Sequence, residues 1–139
     1  MLVRTINDIT GTDSEVWAEN HHWVSRRLLL KKDGMGFSFH ETIIFAGTET
    51  HIWYKHHLEA VFCVEGEGEV QTLADGKIYS IVPGTMYALN NHDEHLLRAS
   101  KDLRLLCVFN PAIAGTEVHL EDGSYPLPDS GAYGETRNK

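Results

Sequence analysis

Hydrophobic residues along this chain come in short runs, each closed by glycine, proline or a cluster of charge. Residues 23–30 form the first long run, which ends in the turn-forming stretch Lys31-Lys32-Asp33-Gly34-Met35-Gly36. Residues 37–43 alternate apolar and polar positions, as a half-buried strand does, and 44–46 extend the run to Gly47. Residues 51–54 make another short strand. The apolar run 60–64 follows His56, His57 and Glu59 and closes at Gly66-Glu67-Gly68, which reads as a buried strand ending in a tight turn. Residues 69–73 and 77–82 flank Asp75-Gly76, a strong hairpin signal. Further strands are predicted at 86–89, 95–99 and 103–109.

The ends are less regular. Val3 is expected to begin an edge strand, and residues 12–15 to form a loop or one helical turn. The pattern fades beyond Pro111, and residues 129–139 are small, polar and charged, a composition expected of a disordered tail or mobile flap. Strands recurring at roughly eight- to twelve-residue intervals predict an all-β fold, an antiparallel sandwich or barrel. With no repeat and no linker between apolar halves, residues 1–128 are expected to be one domain, with 129–139 as its tail.

Composition narrows the function classes. Asp and Glu outnumber Lys and Arg by 20 to 12, a formal charge of −8. Binding to nucleic acid or to a membrane surface needs clustered cations, so neither is expected. The start of the chain lacks the apolar core of a secretion signal. No run approaches the roughly 20 apolar residues of a membrane span. The expected compartment is the cytoplasm. Cys63 and Cys107 lie inside apolar runs and are expected to pack as small hydrophobes.

Glu59 raises the chemical question, because a carboxylate entering an apolar layer needs a cation or a donor. The spacing around it resembles the first cupin motif, G-x5-H-x-H-x3-E-x6-G. Gly47, Glu59 and Gly66 fill their places, while Trp53 and Lys55 stand in the histidine slots. The second motif, G-x5-P-x-G-x2-H-x3-N, is met by Gly76, Val82, Gly84, Tyr87 and Asn91, with Tyr87 in the histidine slot. The resemblance implies a cupin-type jelly-roll barrel with an altered metal site, since tryptophan and protonated lysine bind no cation. His92 and His95 are near in sequence, and His95 begins the strand after Tyr87. A carboxylate, a phenolate and an imidazole would suit iron(II) or another divalent first-row metal. A cation at bonding distance would favour the phenolate.

Within the cupins, the chain resembles the ectoine synthase family over nearly its whole length. The resemblance is carried by Trp23-Val24-Ser25-Arg26-Arg27, Asp33-Gly34-Met35-Gly36-Phe37-Ser38-Phe39-His40, His57-Leu58-Glu59-Ala60-Val61, Pro83-Gly84-Thr85-Met86-Tyr87-Ala88-Leu89, His92-Asp93-Glu94-His95, Cys107-Val108-Phe109-Asn110-Pro111-Ala112 and Gly115-Thr116-Glu117-Val118-His119. It implies iron ligands at Glu59, Tyr87 and His95. It implies a substrate pocket at Trp23, Ser25, Arg27, Thr42, Tyr54, Cys107, Phe109, Glu117 and His119. The implied reaction is closure of N-γ-acetyl-L-2,4-diaminobutyrate to the cyclic amidine ectoine, with loss of water. Arg27 suits the substrate carboxylate as a two-pronged donor, a contact Trp23 and Ser25 could also make. Glu117 or His119 would relay protons, with Tyr54 beside them, and Trp23, Tyr54 and Phe109 would wall the cavity. The pair His21-His22 and the extension after Pro126 depart from the family pattern outside these motifs. Cupins commonly pair through edge strands, so a homodimer is expected.

Taken singly, these residues have plainer readings. Glu59 could be a structural carboxylate, Tyr87 core filler, His95 a packed histidine and Arg27 a surface charge. Cys107 reads as wall, with no base at a fixed offset. His21, His22, His51, His56 and His57 are expected to face solvent or to stand behind the site. Glu117 and His119, two apart on an extended segment, would point to one side. Two other functions fit the same scaffold: another metal cupin, such as an oxygenase or isomerase, and a cupin that binds a small molecule without turnover.

Overall fold

A computed structural model describes residues 1–127. The tail expected at 129–139, and residue 128, lie outside the described residues.

Ten strands form in the described chain: β1 (Glu15–Trp17), β2 (Trp23–Leu29), β3 (Ser38–Ile44), β4 (Glu49–Ile52), β5 (Leu58–Glu65), β6 (Gly68–Thr72), β7 (Ile78–Ile81), β8 (Met86–Leu89), β9 (His95–Ala99) and β10 (Leu103–Asn110). They make a six-stranded sheet in the order β1-β2-β3-β10-β5-β8 and a four-stranded sheet in the order β4-β9-β6-β7. Every pairing is antiparallel. The two sheets face each other over one core, the double-sheet plan of a cupin barrel.

Alternation decides which side chains enter the core. On β10, Leu103, Leu105, Cys107 and Phe109 are buried while their neighbours are less so, and β9 repeats the pattern with His95, Leu97 and Ala99. Between β5 and β6, Gly66 adopts φ +101°, and any side chain there would collide with the Asp102 carbonyl. The Asp75-Gly76 turn joins β6 to β7 as the sequence predicts.

Two expectations change. No strand forms around Val3 among the described residues. Instead, residues 1–5 lead without regular structure into a short helix α1 (Ile6–Ile9), which starts at a capping box between Thr5 and Asp8. Residues 12–14 form the expected loop, closed by the Glu15 amide on the Thr12 carbonyl at 3.0 Å, and β1 begins at Glu15. The run 60–64 is not buried on both faces. Val61 and Cys63 point inward, but Leu58, Ala60 and Phe62 lie exposed on the outer face of β5, which no layer among the described residues covers. Finally, residues 111–125 form no strand yet contribute Ala112, Ile113, Glu117, Ser124 and Tyr125 to the interior. This irregular strap crosses the open end of the barrel.

Candidate active site

Strand register gathers the site. One transverse row of the large sheet reads Arg27, His40, Cys107, Val61, Tyr87 across β2, β3, β10, β5 and β8. The row on one side holds Ser25, Thr42, Leu105 and Cys63, and the row on the other holds Ser38, Phe109, Glu59 and Leu89. Residues scattered through the chain thus become neighbours on one inward face. With Tyr54, Trp23 and His119 they enclose a cavity that also meets His40, Thr42, Glu59, Tyr87, Cys107, Phe109 and Tyr125. Its free space is about 30 Å³, roughly that of one water molecule.

Glu59 is the cavity's carboxyl group. It is 9 % exposed and has no cationic side chain against it among the described residues. Burial pushes its carboxyl up to about 8, against a smaller pull down from the Cys107 thiol. Tyr87 shares the cavity, and burial, helped by Glu59, raises its hydroxyl well above the ordinary tyrosine value. His95 enters from the opposite sheet, its ring 6.4 Å from that of Tyr87. His95 Nδ1 donates to the Asp93 carbonyl at 2.9 Å, which leaves the Nε2 lone pair buried without a partner. Burial also lowers the His95 pKa, keeping the ring neutral.

No group of three His, Cys, Asp or Glu side chains poised for a metal occurs among the described residues. The donor set here is instead one carboxylate, one phenol and one imidazole. An uncompensated buried carboxyl and an orphaned imidazole lone pair are what a divalent cation would satisfy, so these residues fit one. His92, the other histidine near Tyr87 in sequence, is exposed and donates from Nδ1 to the Tyr54 carbonyl at 2.8 Å.

The second polar group is a pair. Tyr54 Oη lies 2.8 Å from His119 Nε2. Burial, reinforced by the Arg27 charge, drops the His119 pKa to about 3, while burial and then Tyr125 raise Tyr54. Neutral imidazole and intact phenol therefore share one hydrogen bond, with no net charge between them.

A family model described as ectoine synthase matches residues 1–129. The L-ectoine synthase of Desulfatibacillum aliphaticivorans is 64% identical over 129 residues, covering 93% of this chain and 99% of that protein. The chain belongs to the ectoine synthase family. A crystal structure of ectoine synthase from P. lautus superposes with TM-score 0.79 at 52% identity, covering 83% of this chain and 81% of that one. An RmlC-like cupin from Shewanella frigidimarina, at TM-score 0.55 and 20% identity over 66% of this chain and 78% of its own, shares the fold alone.

Of the residues that the ectoine synthase resemblance implies, Trp23, Ser25, Thr42, Tyr54, Cys107, Phe109 and His119 line the cavity together with Glu59 and Tyr87. Arg27, Glu117 and the third implied metal ligand, His95, do not. The Arg27 guanidinium is 1 % exposed and donates to the Gly115 carbonyl at 2.9 Å, the Glu117 carbonyl at 2.8 Å and Ser25 Oγ at 3.3 Å. The Glu117 carboxylate accepts from the amides of Ala114 and Gly115, both at 2.7 Å, with Arg27 at 3.9 Å. Instead of a fork for a substrate carboxylate and a proton relay, the structure shows two ends of a clamp on the strap. Glu117 and His119 therefore part company: one turns back on its own loop, the other reaches Tyr54.

The substituted histidine slots also hold the strap. The Trp53 amide donates to the Gly123 carbonyl at 2.8 Å, and Lys55 pairs with Asp122 at 2.7 Å while lying over the Trp53 ring. Sequence reasoning missed His40 and Tyr125 as cavity residues, and for His57 it left two places open, facing solvent or behind the site, of which the structure shows the second. His57 is fully buried, edge-on to the rings of Phe109 and Tyr125. The pattern at His40 carried a usable signal, an inward position on an alternating strand. Tyr125 lay in a segment with no periodicity to read.

Proposed function

We infer that this protein closes N-γ-acetyl-L-2,4-diaminobutyrate to ectoine with loss of water, as a hydro-lyase. The observation that carries the reading is 64% identity across the whole described domain to an L-ectoine synthase, with the cavity residues in place. Neither an oxygenase-type cupin nor a non-catalytic binder is favoured.

The reaction needs an amine and an acetamide carbon of one molecule held in contact. A cavity walled by Trp23, Tyr54 and Phe109 supports that folding, and alignment of this kind can lower a barrier by roughly 7–11 kcal/mol. In our reading Glu59, Tyr87 and His95 hold a divalent metal, iron(II) for this mixed oxygen and nitrogen set. When bound, that cation supplies Lewis acidity toward the acetamide oxygen. Tyr54 and His119 form the protein's proton-handling pair beside it. Cys107 contributes wall and a thiol against Glu59 and Thr42, not a nucleophile, since burial raises its pKa well above the ordinary thiol value. The strap is the wall attached by side-chain and loop hydrogen bonds rather than by strand pairing.

A homodimer fits the outer surface. Phe62 (45 % exposed) on β5 and Met86 (61 %) on β8 share an uncovered face. Beside it runs a groove between the sheet edges β7 and β8, lined by Ile78, Tyr79 and Met86. Edge strands with apolar neighbours are what a second copy would cover. A cytoplasmic role in making a compatible solute under osmotic stress accords with the acidic composition. No described helix is long and apolar enough to cross a membrane.

Incubating the metal-loaded protein with N-γ-acetyl-L-2,4-diaminobutyrate and following the sample by proton NMR tests the function. Ectoine resonances growing in at catalytic turnover are expected. Binding of the diamine with no product would refute it.

A further inference from the structure

With Arg27 spent on the strap, the substrate carboxylate needs another partner in the cavity. One wall residue has an unused polar atom. His40 lines the cavity and is 1 % exposed, and its Nε2 is buried without a hydrogen-bond partner. A polar atom so placed is unfavourable until something bonds it. His119 Nε2, by contrast, is bonded to Tyr54, and His95 Nε2, orphaned like that of His40, belongs to the metal set.

The His40 ring is held in place from two sides. Phe109 stacks on it at 5.0 Å and 30°, and Ser25 Oγ lies 3.5 Å from Nδ1. Arg27 is its cross-strand partner on β2 and donates from Nε to Ser25 Oγ at 3.3 Å. Burial, and after it the Arg27 charge, hold the His40 pKa well below the ordinary histidine value, so the ring is neutral. A neutral ring carries its one proton on either nitrogen. A carboxylate beside Nε2 selects the form protonated there, with the Ser25 hydroxyl turned to donate to Nδ1.

Placement decides which end of the substrate this is. Glu59 and Tyr87 stand on β5 and β8, with β10 between them and His40. With the acetamide turned toward that pair, ring closure folds the amine back onto the acetamide carbon. The carboxylate on the amine-bearing carbon is then the group left facing β2 and β3. There Ser25, Thr42 and His40 offer hydrogen bonds, and the Arg27 guanidinium stands behind Ser25. We propose that His40 is a further substrate-binding residue, whose Nε2 hydrogen-bonds the substrate carboxylate and makes that carboxylate a condition of tight binding.

The inference rests on ectoine formation being the reaction, which turnover by the parental protein checks separately. His40→Phe keeps a ring for Phe109 and removes both nitrogens. KM for N-γ-acetyl-L-2,4-diaminobutyrate should rise about tenfold, the worth of a hydrogen bond to a charged group. The thermal midpoint should be no lower than the parent's, since the unpaired nitrogen is gone. N-acetyl-1,3-diaminopropane, the same molecule without its carboxylate, should inhibit parent and variant with one inhibition constant. If His40→Phe does not fold, His40→Asn, too short to reach the carboxylate, should give the same pair of results. An unchanged KM would overturn the proposal. So would an inhibition constant for the diamine that rises by the same factor as KM, because the loss would then be one of cavity shape and not of a carboxylate contact.

Discussion

Arg27 offers the sharpest test of how the cavity is closed, because its position contradicts the role its family suggests. The side chain is buried and its guanidinium bonds two strap carbonyls at 2.9 and 2.8 Å. Arg27→Met keeps much of the volume and removes every donor. Each stranded carbonyl costs about 1–3 kcal/mol. The Glu117 carboxylate, 3.9 Å away, loses its nearest cation but keeps its two amide donors. Relief from burying the guanidinium offsets part of this, so a net loss of about 3–5 kcal/mol is expected, in the range for removing one partner of a buried pair. For a domain of this size that is on the order of 10–15 °C in Tm. Urea unfolding gives the stability, and brief proteolysis reports whether residues 113–119 have come loose. A variant within about 1 kcal/mol of the parent, with an intact strap and a greatly raised KM, would refute the clamp and restore Arg27 as a substrate ligand.

Three further outcomes follow from the same geometry. Gly123 adopts φ +84°, and a Cβ there would lie 2.9 Å from the His51 carbonyl. Gly123→Ala should therefore cost about 1–3 kcal/mol in urea unfolding, and an unchanged midpoint would contradict the docked turn. Buried His57 and His119 have folded pKa values lowered to about 4 and about 3. The unfolded chain takes up protons first, so their stabilisation is present above about pH 6.5 and drains away as pH falls through those values, with His57 alone worth roughly 3 kcal/mol. After chelation, urea midpoints should fall from pH 7 to pH 4, and a flat profile would refute burial of neutral rings. Glu59 works in the other direction. Its carboxyl, raised to about 8, stabilises the chelated protein below about pH 4.5, and that contribution is lost as pH rises through 8. Glu59→Gln should remove this alkaline decline, and its persistence would mean another group causes it.

Much of this was legible in the sequence because strands announce themselves by alternation and turns by glycine. The stretches around Trp23, Phe39, Val61, Leu97 and Leu105 all became strands close to their predicted limits. Inward placement of Glu59 and Tyr87 could be anticipated from two motifs whose spacing fixes the barrel face, and that of His95 from its place at the start of the next strand. What stayed hidden depended on contacts distant in sequence. Arg27 on its strand says nothing of carbonyls 88 and 90 residues away. Tyr125 sits in a segment without periodicity, held by loop bonds. His56 and His57 shared one open expectation, solvent or behind the site, and one residue of alternation put His57 in the core. The outward Leu58, Ala60 and Phe62 misled in the other direction, since apolar positions on an uncovered face mimic a strand buried on both sides.

Elemental analysis of anaerobically purified protein, with ectoine formation measured on the same samples, tests the central claim most directly. One divalent metal per chain in the parent, with metal and turnover lost together in Glu59→Gln while the fold is kept, is the expected result. A metal-stripped protein that makes ectoine at the parental rate, or a Glu59→Gln variant that keeps its full metal content, would contradict the account.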